Sequence, residues 1–253
     1  MGYFWKWSEL MSGILASLVG GISVEYGTPM SGGYFAGYFS ATANGIATHK
    51  LIISPKSYEL TSSNAGNVAD MKAGATSVYD GLSNTNIMVA ARTGSFNYPA
   101  AEYCRGLNIG GYTDWYLPSY YEMDIVYFSL KPSTQLNSTA PGSSGFKYGT
   151  PYAPFANLYS PFVGGNNPYS VPSRSGIYYS AGSPSRTSSL LFQSPSGAQC
   201  FNIAVSYRTS TQAIDTINRG LIFSRIMTNG TTNLSLHQVT SGYTTRAIRK
   251  EPV

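Results

Sequence analysis

The chain has 253 residues, enough for one large domain or two small ones with a sizeable core. Only 11% of the residues are charged, against roughly 25% in an ordinary globular protein, and 21 tyrosines and 27 glycines leave a surface rich in Tyr, Gly, Ser, Thr and Asn. The net charge is +5, yet the basic residues form no run of Lys and Arg, which argues against a nucleic-acid groove. Such composition suits recognition or adhesion better than soluble metabolic chemistry, because Tyr gives a large amphipathic contact area at low entropy cost. Mild basicity suits an acidic partner such as an anionic cell-surface polymer.

Residues 1–31 read as a docking or oligomerisation segment. Leu10 to Val24 is mostly apolar but short for a membrane span. Trp5, Trp7 and Glu9 fit a signal peptide poorly, and Lys6 stands where a myristoylation motif wants Ser or Thr. A processed signal and an ordinary core element are the alternatives. In the docking reading, Phe4, Trp5 and Trp7 anchor in a partner's groove, and Gly13, Ala16, Gly20 and Gly21 permit close approach of backbones.

Gly32 to Ser54 is predicted to be a β-hairpin turning at Asn44-Gly45. A polar joint follows, then three helical candidates. The first, around Leu82 to Ala91, is weakly patterned. The second, about Tyr98 to Leu107, has Pro99 in its first turn and Ala100, Cys104 and Leu107 on one face. Gly110 and Gly111 are expected to end it in the left-handed conformation. Trp115 and Leu117 alternate as in a short strand. The third helix begins with a capping box, Ser119 and Glu122, after Pro118, and buries Met123, Val126, Tyr127 and Leu130.

From Ser133 to Ser185 the chain is rich in Gly, Pro, Ser and aromatics and has no period. Long structureless segments in compact domains are usually functional or disordered, and disordered ones are poor in aromatics. This one reads as a folded excursion packed by its own rings, with an insertion at about 141–185. Beyond it, "SSLLFQ", "AQCFNIAVSY", "RGLIFSRIM" and "YTTRAIRK" are strand-like, with turns at Ser194–Gly197 and Asn229-Gly230. Cys104 and Cys200 read as two buried thiols. With His49 and His237 they lack metal-ligand spacing, so no metal or cofactor is expected. No nucleophile–base set, spaced carboxylate pair or phosphate loop points to an enzyme.

"AAEYCRGLNIGGYTDWYLPSYYEM" closely resembles the A-A-x-x-C-x-x-L-x-x-G-G-[YF]-x-D-W-x-L-P-S-x-x-E-[LM] signature of the DUF1566 (Lcl C-terminal-like) family. The matching positions are Cys104, Gly111, Asp114, Trp115, Leu117, Pro118, Ser119 and Glu122. "YDGLSNTNIMVAA" is similar to the family's D-G-x-x-N-T stretch, "LLFQSPSGAQCFNIAVSYRTSTQ" to its F-x-x-G-x-Q-x-F…Y-W-[ST]-S-T-E stretch, and "YTTRAIRK" to its V-R-x-[VI]-R strand. Arg208 and Gln212 replace the family's Trp and Glu, at positions either exposed or lining a core edge.

The resemblance covers most of residues 32–250. It implies an α+β, C-type lectin-like fold for 32–253, with two short helices on antiparallel strands. It further implies a bacteriophage virion protein, a fibre or appendage subunit. Residues 1–31 would bind other virion proteins, and the domain would recognise a host cell-surface glycan or protein, with a homotrimer as the expected oligomer. Candidate binding residues are Tyr148, Tyr152, Tyr159, Asn166, Asn167, Tyr169, Tyr178 and Tyr179, whose rings and amides suit sugars. The alternatives are a structural particle protein without a receptor and a secreted bacterial adhesin. Nothing resembles the calcium-binding triplets of calcium-dependent lectins.

Overall fold

The computed structural model describes residues 24–61, 73–93, 98–137, 167–173, 181–214, 220–236 and 243–253. These form an α+β arrangement of two curled sheets and three helices. The first sheet has the order β1 (Pro29–Met30), β2 (Gly33–Phe39), β3 (His49–Ile53) and β10 (Ile248–Pro252), with β5 (Ser170–Val171) also pairing to β2. All its pairs are antiparallel. The second sheet runs β4 (Leu60–Thr61), β9 (Tyr243–Thr245), β6 (Ser206–Ile214), β7 (Gly220–Ile226) and β8 (Thr232–Leu236). Its β6–β9 pair is parallel and the others antiparallel.

The first sheet is buried on both faces. Ala36, Phe39, Leu51 and Ile53 join one apolar cluster, and Phe35 and Ile52 join another. Double burial explains why Leu51, Ile52 and Ile53 form a continuous apolar run without alternation. Between the hairpin strands lies a nine-residue connection, Ser40 to Thr48, where the sequence suggests a tight two-residue turn. Asn44 still organises it, accepting from the Ile46 N–H at 3.0 Å and the Ser40 hydroxyl at 3.1 Å. Residues 24–31, assigned by sequence to the docking segment, lie on this sheet. Gly27 donates to the Phe35 carbonyl, Phe35 donates to that of Thr28, and Tyr26 stacks on Phe35. Phe4, Trp5 and Trp7 fall outside the described residues.

Three helices stand where the sequence suggests two well-formed ones. The weakly patterned candidate is a full helix, α1 (Gly81–Ala90), capped by Asp80, which accepts from the Ser83 N–H. α2 (Pro99–Arg105) starts with Pro99 as expected and buries Ala100, Ala101 and Cys104. It ends at Gly106 rather than at Gly110-Gly111. Gly110 (φ 62°) and Gly111 (φ 87°) instead make a two-residue turn between Ile109 and Tyr112, which exchange both backbone hydrogen bonds. Left-handed conformation at both centre positions is what such a hairpin turn requires.

Tyr116 then bridges to Ile248, exchanging both hydrogen bonds. Tyr116 joins the first cluster while Trp115 and Leu117 join the second, the period-two alternation of an extended segment. α3 (Tyr120–Leu130) has the predicted capping box, and Met123, Val126, Tyr127 and Leu130 are all buried.

Three strand expectations change. In "AQCFNIAVSY" only Ser206 and Tyr207 are strand, the start of β6, and the residues before them are turn and irregular chain. "SSLLFQ" is a short 3-10 turn at Leu190–Phe192. "YTTRAIRK" is two strands, because the chain leaves the second sheet after Thr245 and enters the first at Ile248. Arg246 sits at that step, fully buried. Its Nε donates to the Ser54 carbonyl (2.9 Å) and its Nη1 to that of Gln199 (2.8 Å), and its plane lies over Phe201 and Phe192. Cys104 and Cys200 are buried and unpaired.

Glu122 is fully buried and accepts four hydrogen bonds, from the N–H groups of Ser119 (2.7 Å) and Gly81 (3.1 Å), the Tyr116 hydroxyl (2.9 Å) and Lys250 Nζ (2.8 Å). A side chain at position 81 would put its Cβ 2.4 Å from Glu122 Oε2 and 2.7 Å from the Leu117 carbonyl oxygen. Removing one member of a buried ion pair typically costs about 3–5 kcal/mol. Glu122→Ala is expected to lose stability in that range in urea unfolding. A double-mutant cycle with Lys250→Met should give a coupling above about 1 kcal/mol. A purely additive cycle would show that the two groups act independently.

Candidate functional site

Every residue of the family-like signature has a structural task. Asp114 Oδ1 accepts from Arg249 Nε at 2.6 Å, Arg249 Nη1 donates to Glu251 at 3.1 Å, and its guanidinium lies 4.1 Å from the centre of the Tyr112 ring. The Trp115 indole N–H donates to the Tyr112 carbonyl (3.0 Å), and the Cys104 thiol is held protonated by burial. Asn84 bonds Ser77 through both ends of its amide, and the Thr85 hydroxyl is shared with Gly81 and Leu117. Ser210 and Thr211 fasten β6 to the α3 entrance, since the Ser210 N–H donates to the Pro118 carbonyl and Thr211 Oγ1 accepts from the Tyr120 N–H. No nucleophile lies beside a base in this set.

Arg208 and Gln212, the two departures from the pattern, are both buried. Gln212 Oε1 accepts from the N–H groups of Ala73 and Ala75, tying the chain before α1 to β6. Arg208 lies over Tyr243 at 5.2 Å. Burial lowers its pKa to about 10, so it stays charged at neutral pH.

The excursion expected to carry binding is anchored at three described points. At its roots, the Asn137 N–H donates to the Ala181 carbonyl (2.8 Å), and Asn137 Nδ2 donates to the carbonyls of Ala181 and Pro184. Lys131 Nζ donates to the Pro184 carbonyl as well. In between, β5 pairs with Tyr38 and Phe39 at the edge of β2.

Asn167, a predicted binding residue, is buried at this middle anchor. Its Nδ2 donates to the Tyr121 carbonyl and Asp124 Oδ2, and its Oδ1 accepts from the Tyr169 N–H. Tyr169 is half-buried and stacks on Phe39 (5.8 Å) and Tyr79 (4.5 Å). Both residues hold the loop to the domain. Tyr148, Tyr152, Tyr159, Asn166, Tyr178 and Tyr179 lie outside the described residues.

The ring that this anchor leaves open is Tyr79, 41% exposed at the end of the stack. Sequence reading passes over it, because only the fold brings Tyr79 against Tyr169. The row Tyr79, Tyr169, Phe39 and His49 is a chain of ring contacts with the partly exposed Tyr79 at one end, an aromatic side chain of the kind that stacks on a sugar or another ring. Among the described residues no group of His, Cys, Asp and Glu is placed to hold a metal ion, and no helix is long and apolar enough to cross a membrane.

His49 gives this row a pH response. Burial, then the charge of Lys250, hold its pKa below the ordinary 6.5. The unfolded chain therefore binds more protons just below pH 6.5, and stability present above that value falls as the pH drops through the folded pKa. Glu251 acts in the same sense at lower pH, since the Ser31 hydroxyl and then Arg249 hold its carboxyl below the usual range. The melting temperature is expected to fall from about pH 7 to about pH 5.5, and His49→Asn should flatten that part of the curve. An unchanged slope in the variant would assign the effect to other groups.

No family model matches this chain, and no curated protein or solved structure matches it either.

Proposed function

We propose that the chain is a bacteriophage virion protein, a fibre or appendage subunit with a C-type lectin-like domain that recognises the host surface. The observation that carries this reading is a division of labour. The signature residues Gly81, Asn84, Thr85, Asp114, Trp115, Ser119 and Glu122 form buried or bridging contacts within the domain. The aromatic excursion is clamped at Asn137–Ala181 and at Asn167–Tyr169. A scaffold of fixed contacts bearing a long aromatic loop is how recognition domains commonly separate stability from binding. Support for the lectin-like fold comes from the outer strands β1 and β10 lying in one sheet, while the second sheet arises mainly from the intervening chain.

In this reading the part of the N-terminal segment that precedes residue 24 joins the protein to the particle, the subunit is a trimer, and the excursion contacts a host glycan or protein. One observation favours the alternative of a particle protein without a receptor. Leu136, Leu190, Leu191 and Ile203 are exposed on segments tied together by the Ser133–Thr228, Thr228–Ile203 and Ser194–Pro132 hydrogen bonds. Apolar exposure of this kind suits subunit packing.

The test is a particle carrying the triple substitution Tyr148→Ser, Tyr152→Ser and Tyr159→Ser, scored by immunogold labelling and by adsorption to host cells. Labelling at fibre or spike ends with adsorption lost is expected. Loss of incorporation into the particle, or labelling on a capsid lattice or neck with adsorption intact, would overturn the receptor reading in favour of packing.

A further inference from the structure

Arg208 is the least satisfied charge in the described chain. Its side chain is 1% exposed, and neither Nε nor Nη2 has a hydrogen-bond partner. Buried polar groups in native proteins are nearly always paired, and buried charges more strictly still. Two hydroxyls nearby share the condition, Ser224 Oγ and Thr245 Oγ1, both buried without a partner.

Strand register brings the three together. Arg208 stands opposite Ser224 across β6 and β7. β6 runs parallel to β9 with Tyr207 beside Thr244, so the next step along both strands brings Arg208 beside Thr245. They also share a face. Arg225 and Phe223 of β7 meet Tyr120 of α3, and Tyr207 packs in the α3 cluster, so the alternating residues Arg208, Ser224 and Thr245 point away from α3. The Tyr243 ring lies 5.2 Å from the guanidinium carbon, an aromatic contact that occupies no N–H donor. The result is a cluster of donors without an acceptor among the described residues.

We propose that Arg208 forms the floor of a binding site for a small oxyanion, held side-on by Nε and Nη2 with Ser224 and Thr245 hydroxyls as further donors. Two parallel N–H groups on one edge of a guanidinium match two oxygens of a carboxylate, phosphate or sulfate group. The oxyanion could be an inorganic ion or the carboxylate of an acidic sugar, and both present the same pair of oxygens. The site is enclosed, so exchange follows opening of this face of the sheet. The inference stands on the second sheet alone and does not depend on where the protein sits or what it recognises.

The test compares melting curves of the wild type, Arg208→Met and Ser224→Ala in sodium sulfate, sodium phosphate and sodium galacturonate, each against sodium chloride at matched ionic strength. Sulfate and phosphate stabilise proteins generally by exclusion from their surfaces, so the readout is the difference between variants. Wild type is expected to gain roughly 5 °C over Arg208→Met at saturating oxyanion, by mass action on the folded state. In chloride, Arg208→Met should melt at or above the wild-type temperature, because an unpaired buried charge has been removed. Ser224→Ala should need several-fold more oxyanion for the same shift, and it supplies the answer if Arg208→Met fails to fold. A response to sulfate or phosphate alone assigns an inorganic ion, and a response to galacturonate assigns an acidic sugar. Parallel curves for wild type and the folded variants in all three salts would overturn the proposal.

Discussion

A carboxylate with no access to water, Glu122, is the constraint on which the arrangement of this domain rests. Four donors surround it, about the number of sites an ionised carboxylate offers. They come from the start of α3, the start of α1, the extended segment before α3, and β10. Two of them are backbone N–H groups at helix N-termini, where the helix dipole also favours negative charge. Gly81 is the counterpart of that requirement, because any larger residue would stand where the carboxylate and the Leu117 carbonyl already are. One acidic side chain thereby sets the positions of two helices, an extended strand and a C-terminal strand relative to one another.

Arginines do comparable work at the edges. Arg246 stitches the step between the sheets to Ser54 and Gln199, and Arg249 joins β10 to Asp114 and Glu251. Each lies over aromatic rings as well. In a chain where only 11% of residues are charged, charge is concentrated at junctions. The Tyr-rich composition supplies the flat surfaces that make such burial tolerable, since a guanidinium over a ring is partly compensated by the ring's electrons.

Local signals were legible in the sequence. Pro99, Ser119 and Glu122 mark helix starts through backbone chemistry that needs no tertiary context. α1 was faint because its buried face carries Asn84 and Thr85, which bond to neighbouring segments instead of forming an apolar stripe. The break at Arg246 was invisible, because "YTTRAIRK" has the composition of one strand and only the pairing partners divide it. Leu190–Phe192 has strand-forming residues but serves as a turn whose Leu191 carbonyl accepts from Gln199. At the candidate site, aromatic richness was legible, while the roles of its members were not. Asn167 and Tyr169 are engaged inside the domain, and the exposed Tyr79 is brought to them from a distant part of the chain.

The pairing of β3 with β10 has a consequence for synthesis. About two hundred residues separate these strands, so the contact has a high loop-closure cost and forms late. Until residues 248–252 have left the ribosome, Leu51–Ile53 presents an open apolar strand edge, and Glu122 waits without the Lys250 ammonium. A nascent chain in that state offers other chains a template for pairing. The helices and the β2–β3 hairpin can form early, but the carboxylate that organises them receives its cation only once Lys250 has been made. Emergence of residues 248–252 and closure of the first sheet are thus coupled.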